Sequence, residues 1–114
     1  AALAHAPRPN ALAATVAAKI EAALPGDVSA DAIAQQLKMS ARTLQRRLEE
    51  EGRSYSSVLD EVRANVAKKL LVDRALGLSE IAFRLGFSDL ATFSRAFKRW
   101  TGTPPGTYRR RSAS

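Results

Sequence analysis

The chain contains no cysteine, one histidine, one tryptophan and one methionine. Without cysteine it offers no thiol nucleophile and no thiolate to hold zinc, and the composition fits a reducing compartment. The sole histidine, His5, lies among alanines and prolines, so neither a histidine-based catalytic centre nor a metal site is expected. No apolar run approaches the roughly 18 residues that a membrane span requires. Carboxylates are present, but none forms a pair beside a pocket-like signature, and Glu49-Glu50-Glu51 reads as a charge run on a surface helix. The expectation is a protein that is not an enzyme, with no cofactor, no metal, no membrane partner and a cytoplasmic location.

Acidic residues are also scarce, and unevenly so. Residues 1–76 carry eleven Lys/Arg against nine Asp/Glu, whereas residues 77–114 carry seven against two. The net charge is +7 and the pI about 10.6. A basic excess concentrated in one region suits a polyanion-binding surface, although charge alone fits general solubility as well. With 114 residues, 46% of them hydrophobic and 25% charged, the chain is long enough for one domain with a core.

Residues 1–9 hold two prolines and no periodic pattern, and read as a flexible linker. The chain has no initiating Met, as either a fragment cut at a domain boundary or a processed chain would show. Leu12, Val16, Ile20 and Leu24 fall four apart and predict a helix over residues 10–24, with Asn10 as cap and Pro25-Gly26 as stop. Ser29 opens a second helix whose inner side is Ala30, Ile33, Ala34 and Leu37. A turn at Lys38-Met39-Ser40 leads to a third helix, closed by Gly52, in which Leu44 and Leu48 point inward. Tyr55, Val58, Leu59, Val62, Val66, Leu70 and Leu71 then define one long helix over residues 54–74, spanning about 30 Å at about 1.5 Å per residue.

The most informative stretch is residues 78–108. Ile81, Ala82 and Leu85 make one apolar helical face, and Leu90, Phe93 and Phe97 a second, separated by Gly86-Phe87-Ser88-Asp89. Two helices joined by a short turn containing glycine form a helix-turn-helix. Gly86 suits the left-handed end of the first helix, and Ser88 or Asp89 supplies an oxygen to cap the second. Ile33-Ala34, Leu37, Met39 and Ser40 repeat Ile81-Ala82, Leu85, Phe87 and Ser88 at an offset of 48; Leu44 and Arg46 repeat Phe93 and Arg95 at 49. The change implies one extra residue at the start of the later helix. After the second unit, Thr103-Pro104 reads as an N-cap followed by proline at the first helical position, opening a helix to about residue 110.

The pattern I-A-x-x-x-G-F-S-D-x-x-x-F-S-R-x-F-K-R, followed by G-x-x-P-x-x-Y-R, resembles the second helix-turn-helix of the AraC/XylS family of bacterial transcription regulators. The resemblance covers about residues 10–110 and is strongest over 40–108. It implies an all-α fold of seven helices in a domain spanning 10–111. A first helix-turn-helix subdomain (10–53) and a second (75–111) are bridged by the connecting helix (54–74), with 112–114 as a tail. It implies sequence-specific binding to double-stranded DNA over about two turns, in two successive major grooves, by an activator of transcription. It also implies that an effector-sensing or dimerisation domain is absent from this chain.

In that arrangement residues 40–51 and 89–101 are the recognition helices. Arg42 and Arg46 share one face, and the planar arginine fork matches O6 and N7 of guanine. Gln45 beside them suits adenine N6 and N7. The solvated alternative pairs Arg42 or Arg46 with Glu49 or Glu50. Arg47 is expected to pair with Glu51 or face solvent. In the second unit Arg95 matches Arg46, with Ser94 beside it. Leu90 and Ala91 stand where relatives often carry polar base readers, so they either touch thymine methyl groups or, for Leu90, pack inward; the second unit either reads bases or only grips phosphates. Phosphate contacts are expected from the helix N-termini at Ser40 and Ser88, and from Thr43, Thr92, Arg84 and Lys98. Arg109-Arg110-Arg111 forms either a phosphate-contacting cluster, led by Arg109, or a solvated tail. Phe93, Phe97 and Trp100 follow i, i+4, i+7, a core stripe rather than a platform for stacking single-stranded bases. The competing function is a helical protein-interaction module whose arginines engage an acidic partner such as RNA polymerase.

Overall fold

The computed structural model describes residues 11–112. The expected linker 1–9, the Asn10 cap and the final two residues lie outside them. Among the described residues the chain forms seven helices and no strand. These are α1 (Ala11–Ala23), α2 (Ala30–Gln36), α3 (Ala41–Glu50), α4 (Tyr55–Leu71), α5 (Leu78–Arg84), α6 (Leu90–Thr101) and α7 (Pro105–Ser112).

Short polar side chains start most of these helices by accepting from otherwise unpaired N–H groups of the first turn. Ser29 Oγ accepts from Ala32 N at 3.1 Å, and Ser40 Oγ from Thr43 N at 3.1 Å. At α4, Ser54 and Ser57 satisfy each other's backbone N–H groups in a reciprocal box. The long helix ends at Leu71, three residues before the expected limit, so its 17 residues span about 26 Å. α7 starts one residue later than expected. Pro105, buried, takes the first helical position, and the Pro104 carbonyl accepts from Tyr108 N at 2.9 Å.

The internal repeat holds at the level of single hydrogen bonds. In the first turn Met39 N donates to Ala34 O and Lys38 N to Gln35 O; in the second Phe87 N donates to Ala82 O and Gly86 N to Phe83 O. Both ends are the same left-handed helix stop. Gly86 has φ of 87°, where glycine carries no penalty, but its counterpart Lys38 has φ of 59° with a full side chain. The extra residue falls in the turn rather than in the later helix. Ser40 caps α3, its counterpart Asp89 caps α6 by accepting from Thr92 N at 2.7 Å, and Ser88 is the insertion ahead of it.

Two apolar cores lie along α4. The first packs Val16, Ile20, Ile33, Leu44, Leu48 and Val58; the second packs Leu71, Ile81, Leu85, Phe93 and Phe97. Leu24 and Val66 pack against both. The two units also come close at Gly86. A Cβ placed on Gly86 would lie 3.6 Å from the Pro25 carbonyl oxygen and 3.8 Å from Leu24 Cδ2. The two helix-turn-helix units therefore share a flank as well as a connecting helix, within a body measuring 48 × 30 × 21 Å.

Candidate nucleic-acid interface

The outer face of α3 is set by what its inner face buries. Leu44 and Leu48 are fully buried, which turns Arg42, Gln45 and Arg46 outward at about 100° per residue. All three are exposed, while Thr43 is half-buried and its hydroxyl lies 3.0 Å from Ser40 Oγ. Among the described residues the ion pairs are Arg53–Glu61 and Arg84–Glu80, so neither Glu49 nor Glu50 neutralises Arg42 or Arg46. A planar donor on an exposed helix face without a carboxylate partner keeps its fork available for a bidentate acceptor.

α6 repeats the arrangement on a larger core. Phe93 and Phe97 are fully buried, and Ala91, Arg95 and Lys98 are exposed beside half-buried Ser94. Leu90 retains 36% exposure and so belongs to the surface at the head of the helix, not to the core. The two helices differ in charge. Where α3 continues into Glu49 and Glu50, α6 continues into Lys98 and Arg99.

The helix starts differ as well. Ser40 is a neutral cap, whereas Asp89 places a carboxylate at the N-terminus of α6. The backbone N–H of Thr92, then its hydroxyl, holds the Asp89 carboxyl below the usual carboxylate range. An anion already at that position opposes a phosphate there. Ser88, expected as the capping phosphate donor, instead lies outside the helix with its Oγ 3.4 Å from Asp89 Oδ2. Thr92 is half-buried, and its N–H is taken by Asp89. Arg84 is exposed but paired with Glu80 at 2.7 Å, one turn earlier on α5.

Arg109 has structural partners that the sequence reading did not foresee. Its Nε donates to Leu71 O at 2.9 Å and its guanidinium to Asp73 O at 3.2 Å. Both carbonyls stand at the end of α4, where a cation also complements the helix dipole. Arg109 therefore ties α7 to the connecting helix, with two of its donors already engaged. Arg110 donates to Thr107 Oγ1 at 3.1 Å.

Three further residues, none singled out from the sequence for such a role, hold the two faces in place. Arg63, half-buried on α4, donates from Nε to Leu85 O at 3.0 Å, and its guanidinium carbon lies 4.7 Å from the Phe87 ring centroid. Burial lowers its pKa, against the raising influence of Asp60. Glu51 leaves the expected surface run and accepts from Leu12 N at 2.9 Å and Ala13 N at 3.0 Å, capping α1. Arg47 is exposed, the second of its two expected fates. Tyr55 is buried and its hydroxyl donates to Val28 O; burial pushes its pKa up to about 12. The aromatic stripe is interior, with Phe93–Phe97 centroids at 5.9 Å and Phe97–Tyr108 at 5.5 Å.

A family model described as a helix-turn-helix domain matches residues 33–111. The ornithine utilization regulator of Pseudomonas aeruginosa is 44% identical over 88 residues, covering 76% of this chain and 26% of that protein. The chain thus spans about a quarter of that relative's length. Among solved structures, a DNA-binding transcriptional dual regulator from Escherichia coli K-12 superposes with a TM-score of 0.85 at 30% identity, covering 96% of this chain and 97% of that one. An AraC-type regulator from Chromobacterium violaceum gives 0.80 at 26% identity, covering 90% and 93%. The DNA-binding domain of AdpA, solved in complex with a target DNA, gives 0.73 at 28%, covering 85% and 88%. The chain belongs to the AraC/XylS-type helix-turn-helix family of DNA-binding transcription regulators.

Proposed function

We propose that the domain formed by residues 10–111 binds double-stranded DNA sequence-specifically, with α3 and α6 in two successive major grooves, and activates transcription. The observation that carries this reading is the exposed Arg42–Gln45–Arg46 face, free of ion pairs and backed by buried leucines. Its counterpart on α6, Ser94 and Arg95 with Leu90 and Ala91, is chemically plainer and suits fewer base contacts. Arg46 and Arg42 are assigned to guanine, Gln45 to adenine, and Leu90 and Ala91 to thymine methyl groups. Ser40, Thr43, Arg84, Thr92 and Lys98 supply backbone contacts, with Ser88 a lesser one. The 48 Å length of the body accommodates two helices about 34 Å apart, the spacing of successive grooves on one face of B-DNA. In a longer regulator the domain acts with an effector-sensing or dimerisation domain and contacts RNA polymerase.

Selection from a randomised duplex library at about 150 mM salt, which suppresses much sequence-blind binding, tests the reading. An enriched motif of two blocks about one helical turn apart is expected. Arg46→Ala should relax one block and Arg95→Ala the other, at roughly 1–3 kcal/mol per lost bidentate contact. One block alone would confine the second unit to phosphate contacts; no enrichment from folded protein would reject specific binding.

A further inference from the structure

Consecutive glutamates close α3, and the structure gives each a different place. Glu51 caps α1 by accepting from Leu12 N and Ala13 N. Glu49 and Glu50 are both exposed. At about 100° per residue, with Arg42 as origin, Gln45 stands at about −60°, Glu49 at about −20° and Arg46 at about +40° around the helix axis. Glu50 falls outside that arc, at about +80°. Glu49 therefore continues the face formed by Arg42, Gln45 and Arg46. These four side chains, with Thr43, line one hollow with a volume of about 390 Å³.

Two further observations separate Glu49 from a solvated charge. It forms no ion pair among the described residues, although Arg46 stands one helical turn before it on the same face. Its carboxylate is open to a donor brought from outside. The internal repeat also reverses sign here. The offset of 49 that pairs Leu44 with Phe93 and Arg46 with Arg95 pairs Glu49 with Lys98. A cation on a DNA-facing helix adds affinity for any duplex through the phosphates, and an anion subtracts it. A carboxylate at the centre of such a face contributes through what it discriminates, not through what it attracts.

We propose that Glu49 is a specificity-determining residue of α3, accepting a hydrogen bond from the N4 amino group of a cytosine; the assignment rests on the two-groove reading given above. An ionised carboxylate accepts and does not donate. On the major-groove edge adenine sets its N6 donor beside the N7 acceptor, while guanine and thymine present acceptors at O6, N7 and O4. Cytosine offers the N4 donor with no acceptor beside it. It is the base that a carboxylate meets without an opposing lone pair. Glu49 lies about 4.5 Å beyond Arg46 along the helix axis, a little more than one base-pair step of about 3.4 Å. The cytosine is therefore expected within about two base pairs of the guanine assigned to Arg46. The same carboxylate repels phosphates and lowers binding to duplexes that lack this base.

Selection from a randomised duplex library is run in parallel on the parent chain, Glu49→Ala and Glu49→Gln, each checked for folding by circular dichroism. The α3 block is the one that Arg46→Ala relaxes. The parent should require cytosine at one position of that block, and Glu49→Ala should lose the requirement there and nowhere else. Glu49→Gln should admit adenine at that position, because an amide matches adenine N6 and N7. In direct titration, replacing that cytosine in the selected duplex should weaken the parent at least about fivefold and Glu49→Ala less than about twofold. A merely structural role would lower affinity for every duplex alike and leave the base preference intact. An α3 block of the same composition in the parent and in folded Glu49→Ala, or equal weakening on all duplexes, overturns the assignment and leaves the two-groove reading standing. No enriched motif from the parent chain removes that reading and the assignment with it. Should Glu49→Ala unfold, Glu49→Gln decides: an α3 block unchanged from the parent's overturns the assignment.

Discussion

Replacing Arg63 by methionine removes the guanidinium and keeps the stem that crosses the second turn. Two interactions disappear: the hydrogen bond to Leu85 O at 3.0 Å and the contact with the Phe87 ring at 4.7 Å. A hydrogen bond to a charged group contributes about 1.5–3 kcal/mol, and a cation over a partly exposed ring about 0.5–1 kcal/mol. Half-burial of the cation takes back part of this, since desolvation is what lowers the Arg63 pKa. The expected net loss is about 2 kcal/mol, or roughly 10 °C in Tm for a domain of this size. Urea unfolding followed by circular dichroism measures it, and Arg63→Lys, which retains charge but not the planar fork, should fall between. The same variant should weaken binding to the α6 block of a selected duplex more than to the α3 block, because the lost contacts hold the α5–α6 turn. Stability within about 0.5 kcal/mol of the parent would refute the claim that Arg63 clamps the second unit, since surface changes stay within that limit.

Lys38→Gly should stabilise the domain by about 1 kcal/mol, read from the urea midpoint, because Lys38 holds a φ of 59° that glycine adopts without strain. Glu51→Ala removes both acceptors from the start of α1 and should lower stability by roughly 1–3 kcal/mol in the same assay, with α1 amides exchanging faster. Arg109→Ala should destabilise the domain while leaving the slope of log K against log salt for duplex binding unchanged; a slope reduced by about one would identify it as a phosphate contact as well. Tyr55 has a folded pKa raised above its ordinary value to about 12, so its contribution is fully present below about pH 10 and is lost as pH rises toward about 12. Tyr55→Phe should flatten that part of the stability–pH curve.

What the sequence discloses depends on how far apart interacting residues lie. Ser29, Ser40 and Ser54 cap helices that begin one residue later, and Gly86 ends the helix just before it, so these boundaries follow from local chemistry. The paired cores are legible for the same reason: Leu44 and Leu48, or Phe93 and Phe97, declare their inner face by spacing alone. Glu51, Arg63 and Arg109 close helix ends located 38, 22 and 38 positions away, and nothing in their neighbours announces those partners. Arg109 sits in a run of three arginines that hides its structural partners, and Glu51 looked like a solvated charge because it ends a run of three glutamates. In both runs the members share a formal charge but not an environment. Arg42 and Arg46 were legible as a surface face because their leucine neighbours were; their lack of carboxylate partners required coordinates.

The packing of Leu24 against both cores, beside Gly86, bears on how the domain would meet a screw-shaped partner. A hinge between two reading heads would let each follow its own stretch of duplex. Here Leu24 and Val66 pack against both cores and α4 runs through both, so under the proposed two-groove binding the heads would keep a set phase as well as a set distance. One base pair inserted between their target blocks advances the second block by about 3.4 Å and turns it by about 35° around the duplex axis. Half a turn of insertion presents the wrong side of the DNA altogether. The body would then act as a phase gauge, accepting sites by angular setting before any base is read.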